Sequence, residues 1–235
     1  MYAQRLTRMY HRAIYVHGVT GIVQMAHRWW IRRTWQAPED DFDRQFGVIT
    51  DGGDAGADLH LADPSHAIYG SRSQPSAAQN VHHVLTAHPF DYPNLTFVDV
   101  GCGKGRALLV ASLYPFRRIV GVEYGKNLVT AAERNLTRWA HPEQRCRDLS
   151  VAWADATAYD FPLEPLLIYL FNPFERPVMD RFVRHLDASL RAHPRPCTVI
   201  YQNPVHAEAW EHSGFVCVER RAWWARYHHC ANGCG

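Results

Sequence analysis

The sequence predicts an α/β protein: a doubly wound, seven-stranded, mostly parallel sheet with a C-terminal antiparallel hairpin, plus an N-terminal helical extension. Three observations predict it. The apolar run Phe97-Val98-Asp99-Val100 opens into Gly101-Cys102-Gly103-Lys104-Gly105 and then into the apolar stretch Ala107–Ala111, which reads as strand, tight turn and helix. Beyond it, short apolar runs alternate with longer segments of helical spacing, the pattern of a parallel sheet with helical crossovers. The last two apolar runs are separated only by a short turn, so they read as an antiparallel pair.

Each element follows in order. No acid occurs between Met1 and Pro38, whereas Arg5, Arg8, Arg12, Arg28, Arg32 and Arg33 do. Leu6, Met9, Tyr10, Ala13 and Ile14 fall at helical spacing, Gly18 and Gly21 interrupt, and Ile22, Val23, Ala26, Trp29 and Trp30 resume it. Two short amphipathic helices are expected. They suit a cap on the domain, a membrane surface or a nucleic acid. Residues 37–64, with Pro38, Gly52-Gly53 and Pro64, read as a linker and lid. Ala77–Ala87 is a helix leading into the first strand, residues 97–100. Ile119–Glu123 is the second strand, Leu128–Trp139 its helix, Leu149–Trp153 the third strand and 167–172 the fourth. Pro177–Ala192 is a helix, Cys197–Tyr201 the fifth strand, and Phe215–Glu219 with Ala222–Tyr227 the hairpin. The domain organisation expected is 1–64 basic extension and lid, 65–229 catalytic domain, and 230–235 tail.

The glycine loop carries the chemistry. Alternate glycines let the backbone turn sharply and let a ligand approach where a Cβ would intrude. Glu123, closing the second strand 18 residues after Gly105, can accept hydrogen bonds from a ribose diol. That much fits either NAD or S-adenosylmethionine. The spacing here is G-x-G-x-G, whereas the dinucleotide fingerprint is G-x-G-x-x-G, and Arg106 stands where that fingerprint wants a small residue. Asp99, at the strand end, would repel a pyrophosphate and hold an ammonium.

Asp99-Val100-Gly101-Cys102-Gly103-Lys104-Gly105 resembles the first motif of class I S-adenosylmethionine-dependent methyltransferases. The resemblance extends, in order, over residues 96–174. It implies S-adenosylmethionine as cofactor, with Asp99, Gly101, Gly103 and Gly105 around its methionine end and Glu123 on the ribose. Ala154-Asp155-Ala156 is similar to the third motif, which implies Asp155 at the adenine amine; a helix cap or turn is the competing role for that residue. Leu167–Phe174 is similar to the fourth motif. Its Asn172-Pro173-Phe174 resembles the Asn-Pro-Pro-aromatic motif of enzymes that methylate nitrogen, without the second proline. Asn172 and Phe174 are therefore expected at the acceptor. Tyr69 and Ser71, just before the Ala77 helix, match an aromatic and a hydroxyl that close over the methionine end in several methyltransferases, with Tyr69 on the acceptor side and Ser71 on the cofactor side. Phe42–Val48 resembles a segment of small bacterial methyltransferases and implies no substrate.

The expected function is methyl transfer to a nitrogen acceptor, on a protein, or to a small molecule. An RNA- or DNA-modifying enzyme using the arginine-rich N-terminus is the alternative, and an NAD-dependent oxidoreductase a remote one. Composition is that of an ordinary globular enzyme: 235 residues with a formal net charge of +2, so no bulk electrostatic pull toward nucleic acid. The six cysteines, Cys102, Cys146, Cys197, Cys217, Cys230 and Cys234, include no Cys-x-x-Cys pair and read as reduced thiols. With no secretory signal visible and no apolar run near the ~18 residues of a membrane span, the expected location is cytoplasmic. His228, His229, Cys230 and Cys234 are ligand types for zinc, but not at a knuckle's spacing, and no metal is expected.

Overall fold

The structure, a computed structural model, describes residues 41–52 and 76–230. Its centre is one seven-stranded sheet in the order β3-β2-β1-β4-β5-β7-β6. The strands are β1 (Thr96–Val100), β2 (Arg118–Glu123), β3 (Leu149–Trp153), β4 (Leu166–Phe171), β5 (Cys197–Gln202), β6 (Phe215–Arg220) and β7 (Trp224–His229). The first five are parallel, and β7 joins β5 antiparallel with β6 outermost. The fold class and the edge hairpin are those the sequence predicts.

β1 and β4 are buried at every position except Phe171, the last residue of β4, as expected of central strands covered on both faces. Register sorts their side chains. Asp99 stands opposite Gly121 and Tyr169, and Tyr169 opposite Ile200, so these share a face. Leu170 and Tyr201 pair on the other.

Five helices are described: α1 (Phe42–Phe46), α2 (Ala78–Thr86), α3 (Arg106–Ala111), α4 (Lys126–Arg138) and α5 (Arg176–Ala192). α3 is buried at all six positions. With α2 it covers the Asp99 face, where Val81, Leu85, Leu108 and Leu109 meet Phe97, Tyr169 and Ile200. α5 begins on Arg176-Pro177, where the missing N–H of proline costs nothing. Its stripe Val178, Met179, Phe182, Val183, Leu186 and Leu190 recurs every three or four residues and closes the opposite face with Trp210. α4 lies along β2 and β3.

Three differences from the sequence reading have physical causes. Residues 42–50, read as linker and lid, pack on the domain: Phe42 stacks on Trp139 at 5.7 Å, and Phe46 meets the same ring edge-on at 5.1 Å. β7 starts at Trp224 and not at Ala222, because the Arg221 N–H bonds to the Trp224 carbonyl and closes the hairpin turn first. β7 also continues through His228 and His229, and His229 Nε2 lies 2.9 Å from Asp187 Oδ1 of α5. These histidines are strand residues anchored to the domain. Opposite β7, the register slips between Cys217 and Glu219, leaving Val218 as a bulged residue. Residues 1–40, with the expected N-terminal helices, lie outside the described residues, as do 53–75 and 231–235.

Candidate active site

Strand order reverses between β1 and β4, and open α/β sheets bind ligands in the crevice at such a switch point, beyond the carboxyl ends of the strands, here β1, β2, β3 and β4. Asp99, Glu123, Asp155 and Asn172 all lie at or just past those ends.

The glycine loop connects β1 to α3. Gly101, Gly103 and Gly105 adopt φ of 75°, 54° and 87°, the left-handed region that suits glycine. Gly101 has a second reason to be glycine: a Cβ there would lie 2.5 Å from Pro173 Cβ. The loop thus leans directly on the turn after β4. Cys102 packs behind it against Gly121, where an added Cβ would meet its Sγ at 2.6 Å. Burial pushes the Cys102 thiol up, helped by the Asp99 and Glu123 charges, so it stays protonated and inert.

Glu123 ties the loop to the next turn. Its Oε2 accepts from the Gly103 N–H at 2.9 Å, and Oε1 from the N–H groups of Tyr124 at 2.8 Å and Gly125 at 2.9 Å. Burial raises its pKa, while those three donors pull it back. A carboxylate offers about four lone-pair positions, so capacity remains for a ribose hydroxyl, but the first duty of Glu123 is to shape the loops. Asp99 is 4% exposed, and its pKa is pushed up to about 8, first by burial and then by the Glu123 charge. A buried carboxyl in that state gains most from a cation beside it.

Asp155 follows β3 and makes an Asx turn, its Oδ1 accepting from the Thr157 N–H at 2.8 Å. The Ala154 N–H bonds to the Glu123 carbonyl at 3.0 Å, so the β3 end is held beside Glu123. Asn172 has φ 43°, a left-handed conformation uncommon outside glycine. Its Oδ1 accepts from the Tyr201 hydroxyl at 2.9 Å, and that hydroxyl oxygen receives the His206 N–H at 3.3 Å. The one hydroxyl proton of Tyr201 is therefore spent on Asn172, which fixes the side-chain amide with its NH₂ pointed elsewhere. Phe174 packs toward the α5 side, its ring 5.8 Å from that of Phe182. Tyr69 and Ser71 lie outside the described residues.

Sequence reasoning missed several participants. Asn203 also has positive φ, 50°, and also precedes a proline. Since Phe171 pairs with Gln202, the two Asn-Pro corners stand side by side at the ends of β4 and β5. The repeated Asn-Pro after two apolar runs was the available signal. His206 is 7% exposed, with Nε2 3.8 Å from Glu175 and Nδ1 3.9 Å from Glu208. Tyr169 donates to Gln202 Oε1 at 2.5 Å and lies 2.8 Å from Ser76 Oγ, a buried polar group beneath the crevice. Among the described residues no cluster of three or more metal-ligating side chains occurs, and no helix is long and apolar enough to cross a membrane.

No protein-family model matches this chain, and no curated protein is significantly similar to it. Solved structures do resemble it. An RNA methyltransferase from Salinibacter ruber in complex with S-adenosyl-L-homocysteine is 17% identical, with 66% of this chain and 92% of that one covered and a TM-score of 0.46. A ribosomal protein L11 methylase from Lactobacillus delbrueckii subsp. bulgaricus is 15% identical over 64% and 74% of the two chains, with a TM-score of 0.43. A SAM-dependent methyltransferase from Leishmania major is 12% identical over 64% and 70%, with a TM-score of 0.46. At these identities and TM-scores, none of the three assigns an activity or acceptor to this chain.

Proposed function

We propose that this protein is an S-adenosylmethionine-dependent methyltransferase. The observation that carries the reading is the crevice itself: a left-handed glycine loop bordered by Asp99, Glu123, Asp155 and Asn172 on the ends of four adjoining parallel strands. The residues fit the cofactor. Asp99, a buried carboxyl pushed up to about 8, suits the methionine ammonium and is a poor match for a pyrophosphate. Glu123 keeps about one lone-pair position for a ribose hydroxyl, and Asp155 suits the adenine amine. Ser71 and Tyr69 are assigned to the methionine end on the resemblance of their sequence context.

Bound S-adenosylmethionine supplies the electrophilic methyl group. The chain's own task is alignment, the main contribution of a protein to in-line displacement. Asn172 is held rigidly by Tyr201, at a backbone conformation that costs on the order of 1–3 kcal/mol and persists only where the surroundings enforce it. Its amide presents NH₂ donors and one remaining lone pair to an acceptor, and a nitrogen acceptor, on a protein or a small molecule, uses that lone pair best.

Calorimetry with S-adenosylhomocysteine against NADH tests the cofactor: binding of the first alone is expected, and binding of NADH alone would sink the reading. Labelled S-adenosylmethionine incubated with a lysate of source cells then reads the acceptor class, with label expected in protein or small molecules. Label confined to RNA or DNA would establish the nucleic-acid alternative.

A further inference from the structure

Two cationic residues, Lys104 in the glycine loop and Arg106 just after it, both reach back to the same N-terminal segment. Arg106 Nε donates to Thr50 Oγ1 at 2.5 Å, its Nη2 lies 3.2 Å from Asp43 Oδ1, and its guanidinium stands 5.3 Å from the Phe42 ring centre. Lys104 Nζ donates to the Asp51 carbonyl at 3.1 Å. Asn135 of α4, 2% exposed, bridges the two: its Oδ1 accepts from the Ile49 N–H, and its Nδ2 donates to the carbonyls of Ile49 and Lys104, each at 2.9 Å. Asp43 in turn closes its own segment, accepting from the Thr50 N–H at 2.7 Å, the Thr50 hydroxyl at 2.5 Å and the Asp51 N–H at 2.8 Å.

Arg106 is the first residue of α3 and is only 6% exposed. A guanidinium that deep is tolerated when a carboxylate and hydrogen-bond acceptors meet it, and is costly when one of them is removed. Arg106 directly follows Gly105, so the contacts that hold its side chain border the last residue of the loop.

We propose that residues 42–51 form a clasp that holds the glycine loop in its binding conformation, with Asp43 and Thr50 as positioning residues acting through Arg106. This rests on the reading of that loop as the cofactor site. The clasp gives a role to Lys104 within the G-x-G-x-G loop and to Arg106 just after it, and a positioning role to Phe42–Val48, which the sequence placed in a linker and lid.

The test compares Asp43→Asn, Thr50→Val and Thr50→Ser with a control, Leu186→Ala, which destabilises the domain from the opposite face of the sheet. Two quantities are read: amide hydrogen exchange of Gly103 and Gly105 without ligand, and the Kd for S-adenosylhomocysteine. Both amides are bonded, to Glu123 Oε2 and to the Cys102 carbonyl, so their protection reports loop order. Asp43→Asn and Thr50→Val are expected to speed exchange and to weaken binding by roughly tenfold or more, a loss typical of a charge-assisted hydrogen bond. Thr50→Ser should restore both to within about threefold, and Leu186→Ala should leave both within about twofold. Unchanged exchange in Asp43→Asn and Thr50→Val, or equal changes in Leu186→Ala, would overturn the clasp. If the unaltered protein bound no S-adenosylhomocysteine, the cofactor reading would fall, and the exchange measurement would decide the clasp alone.

Discussion

Asp99 is buried beneath the crevice with its pKa pushed up to about 8, so near neutral pH it holds a proton that the unfolded chain would have released. The folded state then binds more protons than the unfolded state between about pH 4 and 8, and stability must fall as pH rises through that window. Thermal scans of the ligand-free protein should show a Tm that declines from about pH 5 to 8, and Asp99→Asn should flatten the decline. A cation arriving at Asp99 reverses its preference. Binding of S-adenosylmethionine near pH 7 should therefore release up to about one proton, seen as a dependence of calorimetric enthalpy on the buffer's ionisation enthalpy. No proton release would remove Asp99 from the ammonium subsite. Asn172 and Tyr201 make the complementary case. Asn172→Ala should lower kcat by roughly ten- to a thousandfold, and Tyr201→Phe, which removes the bond orienting the amide together with the acceptor of the His206 N–H, by about three- to thirtyfold, each with cofactor Kd within about twofold. Weakened cofactor binding with normal kcat would place Asn172 against the cofactor.

Among the elements, the contact between the glycine loop and the β4 turn is the tightest point of the site. Gly101→Ala brings both a positive φ of 75° and a Cβ 2.5 Å from that of Pro173, so it should cost about 1–3 kcal/mol and push the Asn172-Pro173 corner outward. Denaturant unfolding reads the first effect. A fall in kcat larger than the fall in cofactor affinity reads the second, and a loss of affinity alone would show that the two turns are uncoupled. The strand ends carrying Asp99, Glu123 and Asn172 were legible because each apolar run meets a glycine or proline within two residues, whereas Asp155 was legible only as the acid that follows the Leu149–Trp153 run. Tyr201 was not: inside Cys197–Gln202 it reads as core, and its hydroxyl finds Asn172 only through the β4–β5 register. The clasp was hidden for a related reason. One helical turn ending at Gly47 looks like a linker, while the partners that dock it, Arg106 and Asn135, stand 56 and 86 positions away from Thr50 and Ile49.

At the scale of the molecule, the sheet separates two apolar cores, one under α2 and α3 and one under α5. Leu108 and Leu186 are fully buried in different cores. Leu108→Ala and Leu186→Ala should each cost about 2–5 kcal/mol and add to within about 0.5 kcal/mol in the double variant, measured by denaturant unfolding. Strong non-additivity would mean that the sheet transmits strain between its faces. The hairpin forms one edge of the sheet. β6 is the outermost strand, and it shows solvent Val216 at 42% and Val218 at 44% exposure, with exposed Cys217 between them. An apolar rim of that kind is a template on which another strand can grow. The extra residue Val218 breaks the ladder there, so the rim presents amides and carbonyls out of step and a flush second strand finds no continuous partner. In colloidal terms, one surplus valine works against stacking: its deletion is expected to straighten the rim and to raise edge-to-edge association, read by light scattering against concentration.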